Sequence, residues 1–523
     1  MAYNLLTDPV IRIVRRDGAP EALSLPAVMA VLAADEVASF PALRAHQRHG
    51  WHAFLAQLAA IVLHEGQVDE IPTEAKVWRA LIRGVTVEYG DDPWTLVVSD
   101  WSRPAFLQCP DPGRGRDFKR EIHTPDGMDI LVTSRNHDEK QNQAYKASPD
   151  DWIFVLVTLQ TMAGYSGLRN YGIVRMNGGQ STRWGFGLAP VDAGPGGQLV
   201  SDLRRMLSTR ATIISCYPEY FVHSGGTQLV WLDPWDGKQS SPLRELDPYF
   251  IEICRRVRLC QESNSIRAKK ALSAGPRIQA KSAKGNVGDF WTPIRIKDGA
   301  ALTPSRRTVQ YDKLAEILFD PGEYKLPPGM QGTAQLKCSK MVVVRGWVGG
   351  QGKTKGYFER SDLRFGKKII FALGRNQDRD RLAELTREQL KEVASVAAAL
   401  KYAIAVLANG GRAEDLKRNH WDSANMWSGQ FDRLVDGVFF RFLDSRFENG
   451  NGGHREEFGL ELIGFAKKIF RQASGAMAWP SSARHRALAV GEMTLRRGLR
   501  KSTFGDLVRT SRKEQAAAGV ATE

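Results

Sequence analysis

Apolar residues follow two regimes along this chain. Up to about residue 375 they come in short runs of mixed period broken by Gly and Pro, and beyond it they recur only at helical spacing. The N-terminal stretch reads as a short strand, a turn at Asp17-Gly18 and then a helix carrying Trp51, Leu55, Leu58, Ile61 and Val62. A Pro-, Gly- and Trp-rich region follows, with Trp94, Trp101 and the segment Pro104-Ala105-Phe106-Leu107-Gln108. The chain from Arg114 to Lys146 is mostly polar. Asp150 and Asp151 suit the first turn of a helix predicted over 149–162, whose interior is the apolar stretch from Trp152. Residues 164–190 hold Gly164, Gly167, Gly172, Gly178, Gly179, Gly185 and Gly187 with Arg169, Arg175 and Arg183 among them, and predict loop where backbone approaches something closely. β-branched and aromatic content predicts strands over 226–232 and 340–348.

In the C-terminal regime Leu390, Val393, Ala397, Leu400, Ile404 and Leu407 mark one amphipathic stripe, stopped by Gly410-Gly411. Trp427, Phe431, Leu434, Val438, Phe442 and Phe447 mark a second, and further stripes run near 456–473 and 482–500. Four stripes joined by short loops predict a four-helix bundle. The expected architecture is α+β. A mixed domain over residues 1–375 precedes a bundle over 376–510, with a disordered tail over 511–523.

Charge adds direction to this picture. The formal net charge is +15, which favours polyanionic partners, either nucleic acid or an acidic membrane surface. The longest apolar run, Ala27 to Ala34, falls far short of the ~20 residues of a spanning helix, so no membrane role is expected. Arg12, Arg15 and Arg16 interrupt the early apolar residues and argue against a signal peptide. Five scattered cysteines suit a reducing cytosol, and a cytoplasmic location is expected. Cys254 and Cys260 are the only close pair, with no second pair or nearby His to complete a zinc site. From Arg255 to Lys284 nine basic residues face one acidic residue, Glu262, a composition typical of a solvated face or flexible loop.

Catalytic arrangements are missing from the sequence. No phosphate-cradling loop, nucleophile elbow or His-Glu-x-x-His is present. Gly164-Tyr165-Ser166-Gly167 follows a predicted helix, not a strand, which argues against a dinucleotide fold. His137-Asp138 imitates a metal-nuclease fragment, and the carboxylates from Asp422 to Asp444 flank a stripe of Phe and Leu. Nothing assembles a nucleophile, a base and an oxyanion site. A binding protein with no catalytic residue, cofactor or metal is therefore expected. The alternatives are a metal-dependent nuclease using His137 and Asp138, or a basic scaffold that contacts protein alone.

Several segments together resemble the CasA family, the large subunit of the type I-E CRISPR surveillance complex Cascade. They are Asn4-Leu5-Leu6-Thr7-Asp8-Pro9-Val10, Pro104–Gln108, Ser134-Arg135-Asn136-His137-Asp138, Asn170-Tyr171-Gly172-Ile173, Met176-Asn177-Gly178-Gly179, and Asp247-Pro248-Tyr249-Phe250 leading to Arg255-Arg256-Val257-Arg258-Leu259. Their order and spacing span nearly the whole chain. The resemblance implies a subunit that recognises a protospacer-adjacent motif in the minor groove of double-stranded target DNA, helps to open the duplex for guide-RNA pairing, and recruits a helicase-nuclease. Its implied partners are guide RNA, target DNA and the other Cascade subunits.

Three small elements carry that recognition in the family. A glycine loop corresponds to Gly164–Gly167, with Gly167 at the contact. A bare backbone can enter a minor groove ~6 Å wide. A lysine finger corresponds to Lys281 or Lys284, ahead of Asn286-Val287-Gly288-Asp289-Phe290-Trp291. A glutamine wedge corresponds to Gln351 with Gly352, at the tip after the strand 341–348; such a wedge unstacks a base pair. The polar loop with Arg135, Asn136, His137 and Lys140 resembles the one that reaches the RNA 5′ handle and neighbouring subunits. Arg496, Arg497, Arg500 and Lys501 fit a contact with the displaced strand. Cysteine pairs that some relatives carry are missing here, so no zinc knuckle is implied.

Overall fold

Thirteen residues at the start of the chain already form a hairpin seed. β1 (Ile11–Arg15) turns through Gly18 into β2 (Pro20–Leu23), burying Ile11 and Ile13. The computed structural model describes residues 3–133, 147–262, 265–331, 340–350, 353–374, 376–450 and 452–509. After the hairpin come α1 (Leu25–Ala33), β3 (Val37–Ser39), α2 (Arg48–Glu65) and α3 (Ala75–Gly84). Then follow β4 (Arg120–Ile122), α4 (Pro149–Thr161), β5 (Gly185–Pro190) and α5 (Pro195–Cys216). Short strands β6 (Thr227–Leu229) and β7 (Ser241–Pro242) precede β8 (Leu246–Ile251), β9 (Arg256–Glu262) and β10 (Ser265–Ala271). Next are β11 (Ile278–Gln279), β12 (Ile294–Arg295), α6 (Tyr311–Phe319) and β13 (Tyr324–Lys325). The longest strands, β14 (Lys340–Gly350) and β15 (Lys353–Phe365), close the strand-bearing part. The mixed helix-and-strand architecture is the one expected.

The chain divides into two compact units, one of residues 1–309, 322–331 and 338–364, the other of 310–321, 332–337 and 365–523. In the first, α2 is buried almost all round, from His49 to Leu63, as a helix apolar on every side must be. The same unit contains small sheets of two or three strands, in the orders β2-β1-β3, β4-β10-β9 and β15-β14-β5 among others. The second unit contains α6, α7 (Lys367–Ala372), α8 (Asn376–Ala408), α9 (Arg418–Asp436), α10 (Phe439–Asn449), α11 (Gly452–Ala476) and α12 (Ser481–Lys501). α8 packs against α9, α11 and α12, and Tyr311, Phe439, Phe440 and Phe458 cluster at tilted and edge-to-face angles. Among the described residues no helix is long and apolar enough to cross a membrane.

Three sequence expectations change. The second C-terminal stripe is not one helix: it breaks at Gly437-Val438 into α9 and α10. The break shifts its register, so that Val435 and Phe439 are buried while Leu434 and Val438 are only half-buried. Both faces remain apolar, which hid the break from a periodicity argument. Residues 185–190, expected as loop, are β5, paired antiparallel with Lys340–Arg345 of β14 and buried at Phe186 and Leu188. Its glycines masked the alternation.

The third change concerns charge. The basic run from Arg255 is not solvated throughout: Arg255, Arg256, Arg258 and Arg277 are buried, while Arg267, Lys269 and Lys270 are half-buried and Lys281 and Lys284 exposed. Arg256 pairs with Asp111 at 2.9 Å. Arg258 donates to the carbonyls of Val98, Asp100 and Arg103. Arg277 donates to those of Val230, Asp233 and Pro234. Guanidinium groups thus serve as multidentate struts between segments distant in sequence.

Similar struts recur through the first unit. Arg183 forms a two-pronged pair with Asp289, one prong at 2.6 Å, with both side chains buried. Arg175 pairs with Glu252 at 3.0 Å and donates to the Phe250 carbonyl at 2.9 Å. Asp202 accepts from Trp291 at 3.0 Å, contacts His52 at 2.8 Å and pairs with Arg205. Burial is the largest single influence and works to raise the Asp289 carboxyl, but the charge and hydrogen bonds of Arg183, the Arg175 charge and the Thr292 hydroxyl together outweigh it and hold the group below its ordinary 3.8. Its stabilising contribution is therefore complete above that value and is lost as the pH falls through the lower folded-state value. Asp289→Asn should destabilise the protein by about 3–5 kcal/mol at neutral pH, because it strands Arg183. Between pH 5 and pH 3, on the order of the ordinary carboxylate range, urea unfolding should show a smaller loss of stability for the variant than for the native chain.

Candidate nucleic-acid interface

The segment from Met176 to Thr182 is the seam on which the glycine loop, the lysine loop and the end of β14 meet. Arg175 and Arg183 bracket it, each fixed by its buried carboxylate. Backbone hydrogen bonds tie the glycine loop to this seam: Gly164 N donates to Ser181 O at 3.0 Å and Tyr165 N to Gly179 O at 2.8 Å. The β14 end of the hairpin joins the same residues. Thr182 N donates to Trp347 O at 3.1 Å, Trp347 N to Thr182 Oγ1 at 2.9 Å, and Gly349 N to Ser181 Oγ at 3.2 Å. The lysine loop arrives on the opposite flank. Gly285 packs so closely that a Cβ there would lie 2.6 Å from Met176 C and 2.7 Å from Asn177 N. No side chain larger than hydrogen fits that contact.

Within the glycine loop the two predicted contacts differ. Gly164 is buried. Gly167 stands at a turn with φ +103° and open space beside it. Ser166 N donates to Asn170 O and Asn170 N to Gly167 O, both at 3.0 Å, so the turn is hydrogen-bonded shut. Its apex exposes Leu168, 78% accessible, and Arg169. Arg255 braces the loop from below, donating to Gly164 O at 2.7 Å and Ser166 Oγ at 3.3 Å. Sequence reasoning missed this support, because it placed Arg255 in a solvated run. On the far side Ser273 N donates to Arg169 O at 3.3 Å and Tyr171 Oη to Ala274 O at 2.9 Å.

Lys281 and Lys284 are both exposed on the short 3-10 turn Lys281–Ala283 and its cap. Lys284 has φ +50° and its ammonium donates to Asp298 O at 3.4 Å, leaving Lys281 the less constrained of the two. Gln351 and Gly352 lie outside the described residues, as do Arg135, Asn136, His137 and Lys140 and the tail 511–523. In the helical unit Arg496, Arg497, Arg500 and Lys501 are exposed on the last turns of α12, opposite buried Leu495 and Leu499. Arg496 pairs with Glu492 at 2.6 Å. Cations here also suit the negative end of the helix dipole.

Among the described residues no group of three or more His, Cys, Asp and Glu could hold an ion. Cys254 is buried with its thiol donating to Leu159 O at 3.2 Å, and burial pushes both Cys254 and Cys260 up from the ordinary thiol value. His49 is buried beside Arg183, and burial with that neighbouring charge holds it well below the ordinary imidazole value, so it stays neutral.

Comparison with known proteins assigns the family. The family model described as CRISPR-associated protein Cse1 matches residues 4–457. Cse1 from Acidimicrobium ferrooxidans has the same fold, with a TM-score of 0.67 at 16% identity over 95% of this chain and 98% of that one. CasA from Thermus thermophilus gives 0.62 at 17% identity, over 95% and 99%. A chain of a CRISPR RNA-guided surveillance complex gives 0.59 at 12% identity, over 95% and 99%. No curated protein matched the sequence. With the family model covering most of its length, the chain belongs to the Cse1 family of CRISPR-associated proteins, also called CasA.

Proposed function

We propose that this protein is the large, non-catalytic subunit of a type I-E Cascade. It recognises a protospacer-adjacent motif in duplex DNA, helps to open the duplex for guide-RNA pairing, and recruits the helicase-nuclease that degrades the target. The observation that carries this reading is the convergence of the glycine loop, the lysine loop and the base of the β14–β15 hairpin on Met176–Thr182. Elements scattered over nearly 200 residues, on the order of a domain's length, share one rigid support. The likeness to a chain of an RNA-guided surveillance complex supports the assembly part of the reading.

In this reading Gly167 presents bare backbone to the minor groove, Gly164 seats the loop, and Lys281 or Lys284 donates to base acceptors there. Those acceptors hardly distinguish A·T from T·A, so a tolerant motif follows. Gln351, with Gly352 beside it, opens the adjacent pair, after which base pairing with the guide reads the sequence. Arg135, Asn136, His137 and Lys140 contact RNA and neighbouring subunits. Helices α8, α9, α11 and α12 act as a bundle whose Arg496, Arg497, Arg500 and Lys501 track the displaced strand.

Gly167→Ala places a methyl in open space but in a strained conformation. The variant should fold, bind motif-bearing duplex about tenfold more weakly, equivalent to about 1.4 kcal/mol, and leave binding to scrambled duplex unchanged. Equal weakening on both duplexes in a titration would count against groove reading by this loop.

For Gln351→Ala in the assembled complex, initial docking should persist while strand opening slows. Stopped-flow R-loop kinetics across several motifs would measure this, and unchanged rates would overturn the wedge assignment. Replacing Arg496, Arg497, Arg500 and Lys501 together with Gln should make the log K against log salt plot for single-stranded DNA shallower, by about 0.7 for each phosphate no longer neutralised.

A further inference from the structure

The sheet β4-β10-β9 holds two consecutive cross-strand pairs of opposite character. Lys269 stands opposite Glu121, and their side chains form an ion pair at 3.4 Å. The next pair along, Lys270 opposite Arg120, sets two cations face to face. Directly opposed residues of an antiparallel pair lie on the same face with adjacent Cβ atoms, and like charges there are destabilising. Neither Lys270 nor Arg120 has a side-chain hydrogen bond or ion pair among the described residues. Lys270 is half-buried and Arg120 exposed.

A third cation stands close by. Arg255 immediately precedes β9, is buried, and has carbonyls, a thiol and the Ser166 hydroxyl as its partners, with no carboxylate among them. Burial, together with the Arg255 and Arg120 charges, pushes the Lys270 ammonium down to about 8. The surrounding sequence offers no relief: no Asp or Glu occurs from Trp152 to Val191 or from Ser263 to Gly288. Ser166 Oγ accepts from Arg255 and is exposed, so its own proton is free to point outward.

We propose that Lys270, Arg120 and the Ser166 hydroxyl, backed by Arg255, form a phosphate site that takes a backbone phosphodiester of the target duplex beside the glycine loop. An oxyanion seated there relieves the repulsion between Lys270 and Arg120. It also fixes the register of the duplex while Gly167 lies against base edges, since phosphate contacts position and base contacts specify. The assignment rests on the duplex-recognition reading above, and the experiment separates the two.

The full chain is titrated with motif-bearing and scrambled duplexes at several salt concentrations. Lys270→Gln should weaken both duplexes alike and make the log K against log salt plot shallower by about 0.9, the value for one phosphate contact. Lys269→Gln, whose lysine is already paired with Glu121, should change the slope less. An unchanged slope for Lys270→Gln, or an equal change for Lys269→Gln, overturns the site. If Gly167→Ala alters motif discrimination while Lys270→Gln leaves the slope unchanged, the phosphate site falls and groove reading stands. A shallower slope for Lys270→Gln with no effect of Gly167→Ala retains the phosphate site without groove reading.

A measurement on the native chain avoids any folding defect of the variants. Acylation of Lys270, followed by peptide mass spectrometry, should be suppressed several-fold by motif-bearing duplex, while that of Lys269 changes little. Equal labelling of Lys270 with and without duplex overturns the proposal. Protection by single-stranded RNA but not by duplex DNA does so too.

Discussion

Two buried ion pairs define where the candidate interface can form. Arg175–Glu252 and Arg183–Asp289 stand at the two ends of the Met176–Thr182 seam, and each joins it to a segment about 75 to 105 residues away in the chain, a separation that local structure cannot bridge. The glycine-rich seam has little side-chain surface with which to hold its own place. Its position is set instead by guanidinium forks whose planar geometry allows one orientation. Asp289 also ends the segment that carries the lysine loop, and Glu252 accepts from Val174 N at 2.8 Å, so the same carboxylates that anchor the seam order its neighbours.

The two pairs are balanced differently. Burial raises Glu252 despite its arginine and lowers Arg175, whereas at Asp289 the two arginine charges and the hydrogen bonds from Arg183 and Thr292 together prevail over burial. Removing ions from water is costly, and pairing returns that cost only with good geometry and further hydrogen bonds. Asp289 gains those from the Thr292 hydroxyl at 2.6 Å and Trp291 N at 3.3 Å. The Arg183 flank is thus the more firmly charged anchor, while the Arg175 flank is held as much by the Phe250 carbonyl and by stacking of its guanidinium over the Phe250 ring at 3.7 Å.

A division of labour among cations follows. Arg175, Arg183, Arg205, Arg210, Arg256, Arg258 and Arg277 are buried and structural. The positive charge available to a polyanion resides in exposed or half-buried groups such as Arg120, Arg169, Lys270, Lys281 and Lys284. Net charge favours a polyanionic partner without saying which cations would face it. Arg255 shows why the distinction matters: it is buried, yet it holds the carbonyl of Gly164 and so the loop itself.

By itself the sequence determined the mixed helix-and-strand character, the helices at 149–161 and 376–408, the strand from Lys340, and the segments that mark the family. These rest on local periodicity, caps and short motifs, which act within a few residues of one another. Tertiary structure alone decided that Arg255, Arg256, Arg258 and Arg277 of the basic run are interior, that residues 185–190 are strand, and that the second C-terminal stripe breaks at Gly437. Each depends on partners far along the chain: carbonyls and Asp111 for the arginines, β14 for the glycine-spaced strand, and an apolar face that continues across the break. The segments around Gly164, Lys281 and the end of β14 could be picked out of the sequence one by one. That they meet on one seam could not, because ion pairs and backbone contacts across 70 to 180 or so residues leave no periodic trace in a single sequence.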